Sequence, residues 1–279
     1  MSRLLLINDI PGASKVAANT NLPVLTTMGL ETALLPTMIL SSHMGYQPVI
    51  QALTDSFALS LNHIKKLNFH YEAMFTGYFA QENQIDTVLS KHQDLADRLY
   101  LDPIMGDGGH LYTSFDYNFV QKMRKLVGQA QMIFPNLTEA SLLTQQAFKA
   151  RPSESDLLSL SDALLDLGCQ QVVITGVLNQ NHSQIGFYYR DQTRARGKYY
   201  FHNYYPQPLY GTGDLAASLI TGFSENQYGP DQALRLTSRL MDTIINYSLS
   251  HPGQQANTLA FEPFLVQMGQ LAKEGHYGS

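Results

Sequence analysis

The sequence predicts an α/β protein with a central, mostly parallel sheet and helices on both faces. Three observations carry that expectation. Apolar runs of strand length alternate with segments of helical period, an order that produces parallel strands joined by crossover helices. The short motifs rich in Asp, Asn, Thr, Gly and Pro follow directly on apolar runs, where ligands bind in open α/β sheets. After Gly176 the alternation gives way to two strand-like runs across a polar turn, and then to helices.

Taken in order, the apolar runs at 4–7, 33–40, 73–79, 97–101, 131–134 and 171–175 are the expected strands. Helical periodicity fills 13–28, 47–66, 82–92, 115–127 and 154–167, with Pro23 an expected kink in the first. Runs 185–190 and 198–204 read as an antiparallel hairpin around Asp191-Gln192-Thr193. The tail reads as helices over 214–226, 230–250 and 261–274, punctuated by Pro252-Gly253 and Glu262-Pro263. With no internal repeat, low-complexity tract or linker, residues 1–279 are expected to form one domain.

Composition excludes more than it selects. Eighteen Lys and Arg against 23 Asp and Glu leave a formal charge of −5, which argues against nucleic acid or an anionic membrane as partner. The start, Met1-Ser2-Arg3-Leu4-Leu5-Leu6-Ile7, is too short an apolar run for a signal peptide, and no segment approaches a membrane span. The lone Cys169, within an apolar approach to a strand, fits a buried structural thiol and a reducing compartment; a cytoplasmic protein is expected. The nine histidines lack zinc-ligand spacing, and the aromatic cluster 199–205 lacks the positive charge of a nucleic-acid platform. There is no Gly-x-x-x-x-Gly-Lys-Ser/Thr phosphate loop and no protein-kinase motif set.

Tyr210-Gly211-Thr212-Gly213-Asp214 precedes a run of small apolar residues that opens a helix. Glycines there let the backbone approach a ligand, and the free N–H groups of the first turn suit a phosphate or a developing anion. A carboxylate repels such an anion. Asp214 therefore reads either as a general base for a hydroxyl attacking phosphorus or as the helix N-cap. Asp102-Pro103-Ile104-Met105-Gly106-Asp107 ends another strand with two acids, which are either ligands of a hydrated magnesium ion or turn residues. In Phe134-Pro135-Asn136-Leu137-Thr138-Glu139, the Asn and Glu share one face of a helical first turn, as site residues or as a cap with its N3 acid.

In this order, with Ile174-Thr175-Gly176 between, these motifs resemble the ribokinase-like superfamily. They are most similar to its pyridoxal/pyridoxine (vitamin B6) kinases and their hydroxymethylpyrimidine kinase relatives. Ser41-Ser42-His43-Met44-Gly45-Tyr46 resembles the Ser-x-His-x-Gly-Tyr segment of the vitamin B6 kinases, and Thr76-Gly77-Tyr78 their Thr-Gly-Tyr strand end. The chain departs from that pattern at Asp9, where those kinases often have Ser, at Met44, where they often have Thr, and at Phe134, where many have Thr.

The resemblance implies a ribokinase-like fold and ATP-dependent phosphorylation of a hydroxymethyl group on a vitamin B6 ring. Asp214 would be the base, and Gly211, Thr212 and Gly213 would hold the transferred phosphoryl. Asp9, His43, Met44 and Tyr78 fall on the substrate side. Asp107, Tyr112, Asn136, Thr175 and the glycine loop fall on the ATP side. Asp102, Asp107 and Glu139 are implied for Mg²⁺, with room for a monovalent cation such as K⁺. The segment 106–113, carrying Tyr112, would be a flap that excludes water. A homodimer is implied as well. Asp9 keeps hydroxymethylpyrimidine kinase as an alternative; a ligand-binding protein that has lost catalysis would not need Asp214 in its glycine frame.

Overall fold

A computed structural model describes residues 2–251 and 257–275; the expected break at Pro252-Gly253 lies outside them. The elements run β1 (Arg3–Ile10), α1 (Ala18–Thr27), β2 (Glu31–Leu40), β3 (Ile50–Ala52), α2 (Thr54–Lys66), β4 (Tyr71–Thr76), α3 (Glu82–Leu89), α4 (His92–Leu95) and β5 (Ala96–Leu101). They continue with β6 (Gly106–Asp107), β7 (His110–Leu111), α5 (Tyr117–Val127), β8 (Met132–Ile133), α6 (Leu137–Thr144), α7 (Glu154–Asp166) and β9 (Gln171–Leu178). The last are β10 (Gln184–Asp191), β11 (Lys198–Asn203), α8 (Thr212–Glu225), α9 (Pro230–Ser250) and α10 (Leu265–Glu274).

Nine strands form one sheet in the order β11-β10-β9-β8-β5-β4-β1-β2-β3, and β6-β7 is a separate two-stranded hairpin. Strands β2, β1, β4, β5, β8 and β9 are parallel neighbours, while β3 and β10 run antiparallel to the strands they join. The strand order reverses around β1, so Asp9 sits at the crevice where such sheets bind ligands.

Strand alternation divides the core in two. Leu4 and Leu6 of β1 face one layer, with buried residues of α1, α8, α9 and α10; Leu5 and Ile7 face the other, with α2, α3, α5, α6 and α7. Near-continuous burial of β1 is what a strand covered on both faces requires. The end of α8 is tied to the opposite rim of the sheet. Glu225 accepts from Arg98 Nε and Nη2 (both 2.9 Å), Tyr100 Oη (2.8 Å) and Ser2 Oγ (2.8 Å).

Several expected elements are shorter or different. The helix expected from 47 begins at Thr54, because Gln47 takes a left-handed conformation (φ 49°) and residues 50–52 pair with β2 as an edge strand. The helix expected from 13 begins at Ala18, and Pro23 is accommodated inside it. The strand expected at 131–134 contracts to Met132–Ile133, since Pro135 follows closely. The expected 82–92 helix breaks at Ser90, followed by the short α4. The hairpin expected after Gly176 is present as β10 and β11.

Candidate active site

The glycine loop meets the start of α8 as the sequence suggests, but the cap differs. The N-cap is Gly211, left-handed at φ 86°, and Asp214 is the third helical residue. A Cβ at Gly211 would lie 2.7 Å from the Lys15 carbonyl oxygen, so only glycine lets this loop pack on the segment before α1. The N-cap alternative for Asp214 is thereby overturned; its carboxylate instead accepts the main-chain N–H of Ala17. Ala17 itself is strained, at φ 49° and ψ −132°, a region that costs a residue with a Cβ about 1–3 kcal/mol. The surrounding protein pushes the Asp214 carboxyl up, opposed by the N–H groups of Ala17 and of Asp214 itself.

Asp102 ends β5, and the β6-β7 hairpin carrying Asp107 rests on the start of α6. Asn136 caps α6 and donates from Nδ2 to the Gly106 carbonyl (2.9 Å), and Thr138 Oγ1 accepts from Gly109 N–H (2.9 Å). Glu139 completes a capping box with Asn136 and also accepts from Met105 N–H (3.2 Å). The cap reading of this pair is therefore structurally real, and the same carboxylate braces the hairpin. Burial holds Glu139 up at about 8 against those N–H groups. Asp102 is pushed well above the carboxylate range by burial, by Glu139 and by Asp214. Tyr112 is raised by burial and by Glu139, Asp107 and Asp102, which places its hydroxyl within their field.

A cavity of about 610 Å³ joins Asp102, Asp107, Tyr112, Asn136, Glu139, Thr175 and the loop 211–214. Its lining also includes the apolar Ile185, Phe187, Met241 and Ile245. Thr175 pairs with Phe187 beside the irregularity of β9 at Gly176, its N–H donating to the Pro135 carbonyl (2.8 Å). Phe134, also in the wall, is stacked with Phe75 (6.3 Å between centroids) in the core, which anchors the ring where a hydroxyl is common in the vitamin B6 kinases.

The four substrate-side candidates do not line that cavity, although His43 packs on Tyr210 of its wall. Burial, reinforced by the Asp214 charge, raises Asp9 to about 7. The Asp9 charge in turn adds to the burial that raises Tyr78, whose ring lies 5.5 Å from Phe115. His43 is sandwiched between Tyr46 (4.4 Å) and Tyr210 (4.5 Å). Its Nδ1 accepts from Gly45 N–H (3.1 Å), while its buried Nε2 has no partner; burial lowers its pKa. Met44 is half exposed on the turn that follows.

The acids suit a hard cation. Among the described residues no three His, Cys, Asp or Glu side chains converge as direct ligands. Cys169 is buried and its thiol is pushed up to about 12, away from any nucleophilic role. Among the described residues no helix is long and apolar enough to cross a membrane.

Sequence reasoning missed Asn8, Ala17, Asn21 and Tyr210. Tyr210 could have been found, since it adjoins the glycine loop. The other three carry no local signal, because their roles arise from contacts across the fold.

A doubly covered parallel sheet with a glycine-framed acid opening a helix beyond its strand ends defines a ribokinase-like α/β protein, and solved structures share the whole architecture. A pyridoxal kinase from Lactobacillus plantarum superposes with a TM-score of 0.91 at 27% identity, over 99% of both chains. The chain belongs to the phosphomethylpyrimidine kinase family, whose model matches residues 26–259, and it is a kinase of that family. A Bacteroides thetaiotaomicron protein provisionally described as a phosphomethylpyrimidine kinase, crystallised with pyridoxal, is 29% identical, with a TM-score of 0.88 over 96% of this chain and 95% of its own. Pyridoxal kinase from Leishmania donovani, solved with ADP and pyridoxine, shares the fold at 22% identity and a TM-score of 0.82, over 95% of each chain. No curated protein matches in sequence.

Proposed function

We propose that this chain transfers the γ-phosphoryl group of ATP to the hydroxymethyl group of pyridoxal, pyridoxine or pyridoxamine, giving the 5′-phosphate. The observation that supports the reading is Asp214 itself, which lines the cavity beside the glycine loop and acts electrostatically on the buried Asp9. Asp214 takes the hydroxyl proton as that oxygen attacks phosphorus. The N–H groups of Gly211, Thr212 and Gly213 at the start of α8 stabilise charge on the transferred phosphoryl. Asn136, Thr175, Asp107 and Tyr112 contact the phosphates, and the adenine packs on apolar residues of the same lining, such as Ile185 and Met241. Asp102, Asp107 and Glu139 would hold magnesium, which would supply positive charge to the phosphates when bound.

On the substrate side, His43 offers its unpartnered Nε2 to the heterocycle, and Asp9 and Tyr78 offer hydrogen bonds. Met44 supplies an adaptable apolar contact. The β6-β7 hairpin with Tyr112 closes the site against water. The reading includes a single kinase domain working in the cytoplasm as a homodimer. The pyridoxal bound by the Bacteroides protein and the activity of the Lactobacillus protein support the vitamin B6 substrate.

Asp9 favours a second reading, hydroxymethylpyrimidine as substrate, since a buried acid accepts from a ring amino group. A coupled assay with ATP, Mg²⁺ and the four alcohols tests both. The expected result is a kcat/KM for pyridoxal or pyridoxine at least about tenfold above that for hydroxymethylpyrimidine, a margin of ~1.4 kcal/mol. The reverse order assigns the pyrimidine kinase activity.

A further inference from the structure

Asn8 and Asn21 are fully buried, and their amides form a chain across four elements. Asn8 Oδ1 accepts the N–H groups of Asp9 (2.9 Å) and Tyr78 (2.8 Å). Asn8 Nδ2 donates to Asn21 Oδ1 (2.7 Å). Asn21 Nδ2 donates both to the main-chain carbonyl of Asp214 (3.1 Å) and to Ser218 Oγ (2.7 Å). The path therefore runs from the ends of β1 and β4, through α1, to the first turn of α8. Gly77 makes room for it, since a Cβ there would lie 2.5 Å from the Asn8 amide nitrogen.

Two amides in the interior gain little net stability over apolar residues of similar shape, yet leaving either unpaired is costly. What the chain adds is geometry. Asp9 and Tyr78 face the alcohol, Asp214 faces its hydroxyl, and these residues come from segments far apart in sequence; Asn21 and Asp214 alone are separated by 193 positions. A misplacement of about 1 Å between a base and its proton can cost ~10²-fold in rate.

We propose that Asn21, acting through Asn8, is a positioning residue: it locks the helix that carries Asp214 to the strand ends that carry Asp9 and Tyr78, so that base and alcohol share one frame. This rests on the reading of Asp214 as the base. Asn21 does not itself line the cavity and bonds no side chain assigned to chemistry; it reaches Asp214, a residue of the wall, only through the main chain.

The test is a double-mutant cycle on the full chain, with kcat, both KM values and thermal melts measured for Asn21→Leu, Asp214→Asn and the double variant. Asn21→Leu should lower kcat about tenfold while KM for ATP stays within twofold. In the Asp214→Asn background the same change should lower kcat by no more than about twofold, because there is no base left to position. A loss of equal size in both backgrounds would mean a general loosening of the fold and would overturn the proposal, as would a kcat for Asn21→Leu within twofold of the parent. If Asn21→Leu does not fold, Asn21→Ser is read in its place; collapse of both makes the residue a folding requirement and also overturns the proposal. Failure of the base reading shows separately, as an Asp214→Asn single variant that keeps more than a third of the parent kcat.

Discussion

Asp9 at the end of β1 and Asp214 in the first turn of α8 are like charges in a shared, buried setting, and the second adds to burial in holding the first at about 7. Asp102 and Glu139 repeat the pattern in the wall of the cavity. Acids gathered this way oppose folding whenever they must ionise without a counter-charge. The site is therefore built at a cost in stability that a bound cation or a hydrogen-bonding substrate offsets.

The pH dependence follows from the sign of these shifts. An acid whose folded pKa lies above its unfolded value adds no penalty below about pH 4, and folded stability falls as pH rises toward the folded values of about 7 for Asp9 and about 8 for Glu139. The ligand-free protein should melt at a lower temperature at pH 8.5 than at pH 5, and Mg²⁺ should restore part of that difference at pH 8.5 while doing little at pH 5. Asp9→Asn should raise the melting temperature more at pH 8 than at pH 5. A variant stabilised equally at both would detach Asp9 from this titration.

Asp214→Asn should lower turnover by about 10²–10⁴ with ATP binding retained, as loss of a general base requires. Binding is measured by titration with a non-hydrolysable ATP analogue, turnover by the coupled assay. A fall of less than about threefold would remove the proton-accepting role.

Glu139→Gln keeps the shape of the capping box but weakens its charge-assisted bonds from Asn136 and Met105. The Mg²⁺ concentration for half-activity should rise more than KM for pyridoxal does, together with a loss of about 1 kcal/mol in stability measured by urea unfolding. An unchanged metal dependence would leave Glu139 as a cap and brace alone.

Gly77→Ala tests the packing under the Asn8 amide. With 2.5 Å available to a Cβ, the amide must shift, and a destabilisation of about 1–3 kcal/mol is expected together with a lower kcat. A melting temperature and turnover equal to the parent's would show that Asn8 has room to spare.

Much of the fold was legible because its signals are local. Apolar runs bounded by Pro and Gly marked Arg3–Ile10, Ala96–Leu101 and Gln171–Leu178, and the glycine frame marked the start of α8. The errors have the same origin. Residues 47–53 were read into the helix expected over 47–66, and the edge pairing of 50–52 with β2 is decided by a tertiary contact that periodicity cannot see. In the candidate site the motif residues Asp102, Asp107, Asn136, Glu139 and Asp214 were nameable from their neighbours in sequence. Asn8, Ala17 and Asn21 were not, because an Asn within a strand or a helix looks unfavourable until its partner on another element is known.

The helix α8 is fastened at both ends: Asn21 holds its first turn, and Arg98, Tyr100 and Ser2 converge on Glu225 in its last. In the proposed reaction it is the stator of the molecule, carrying the base on a fixed mount. Shutting the site would then fall to the β6-β7 hairpin, which is seated on α6. Changes in that hairpin can retune how fast the site opens and how long it retains its contents while leaving the proton-transfer geometry in place. Selection for faster turnover or tighter retention thus has a part of the chain on which to act without disturbing the chemistry.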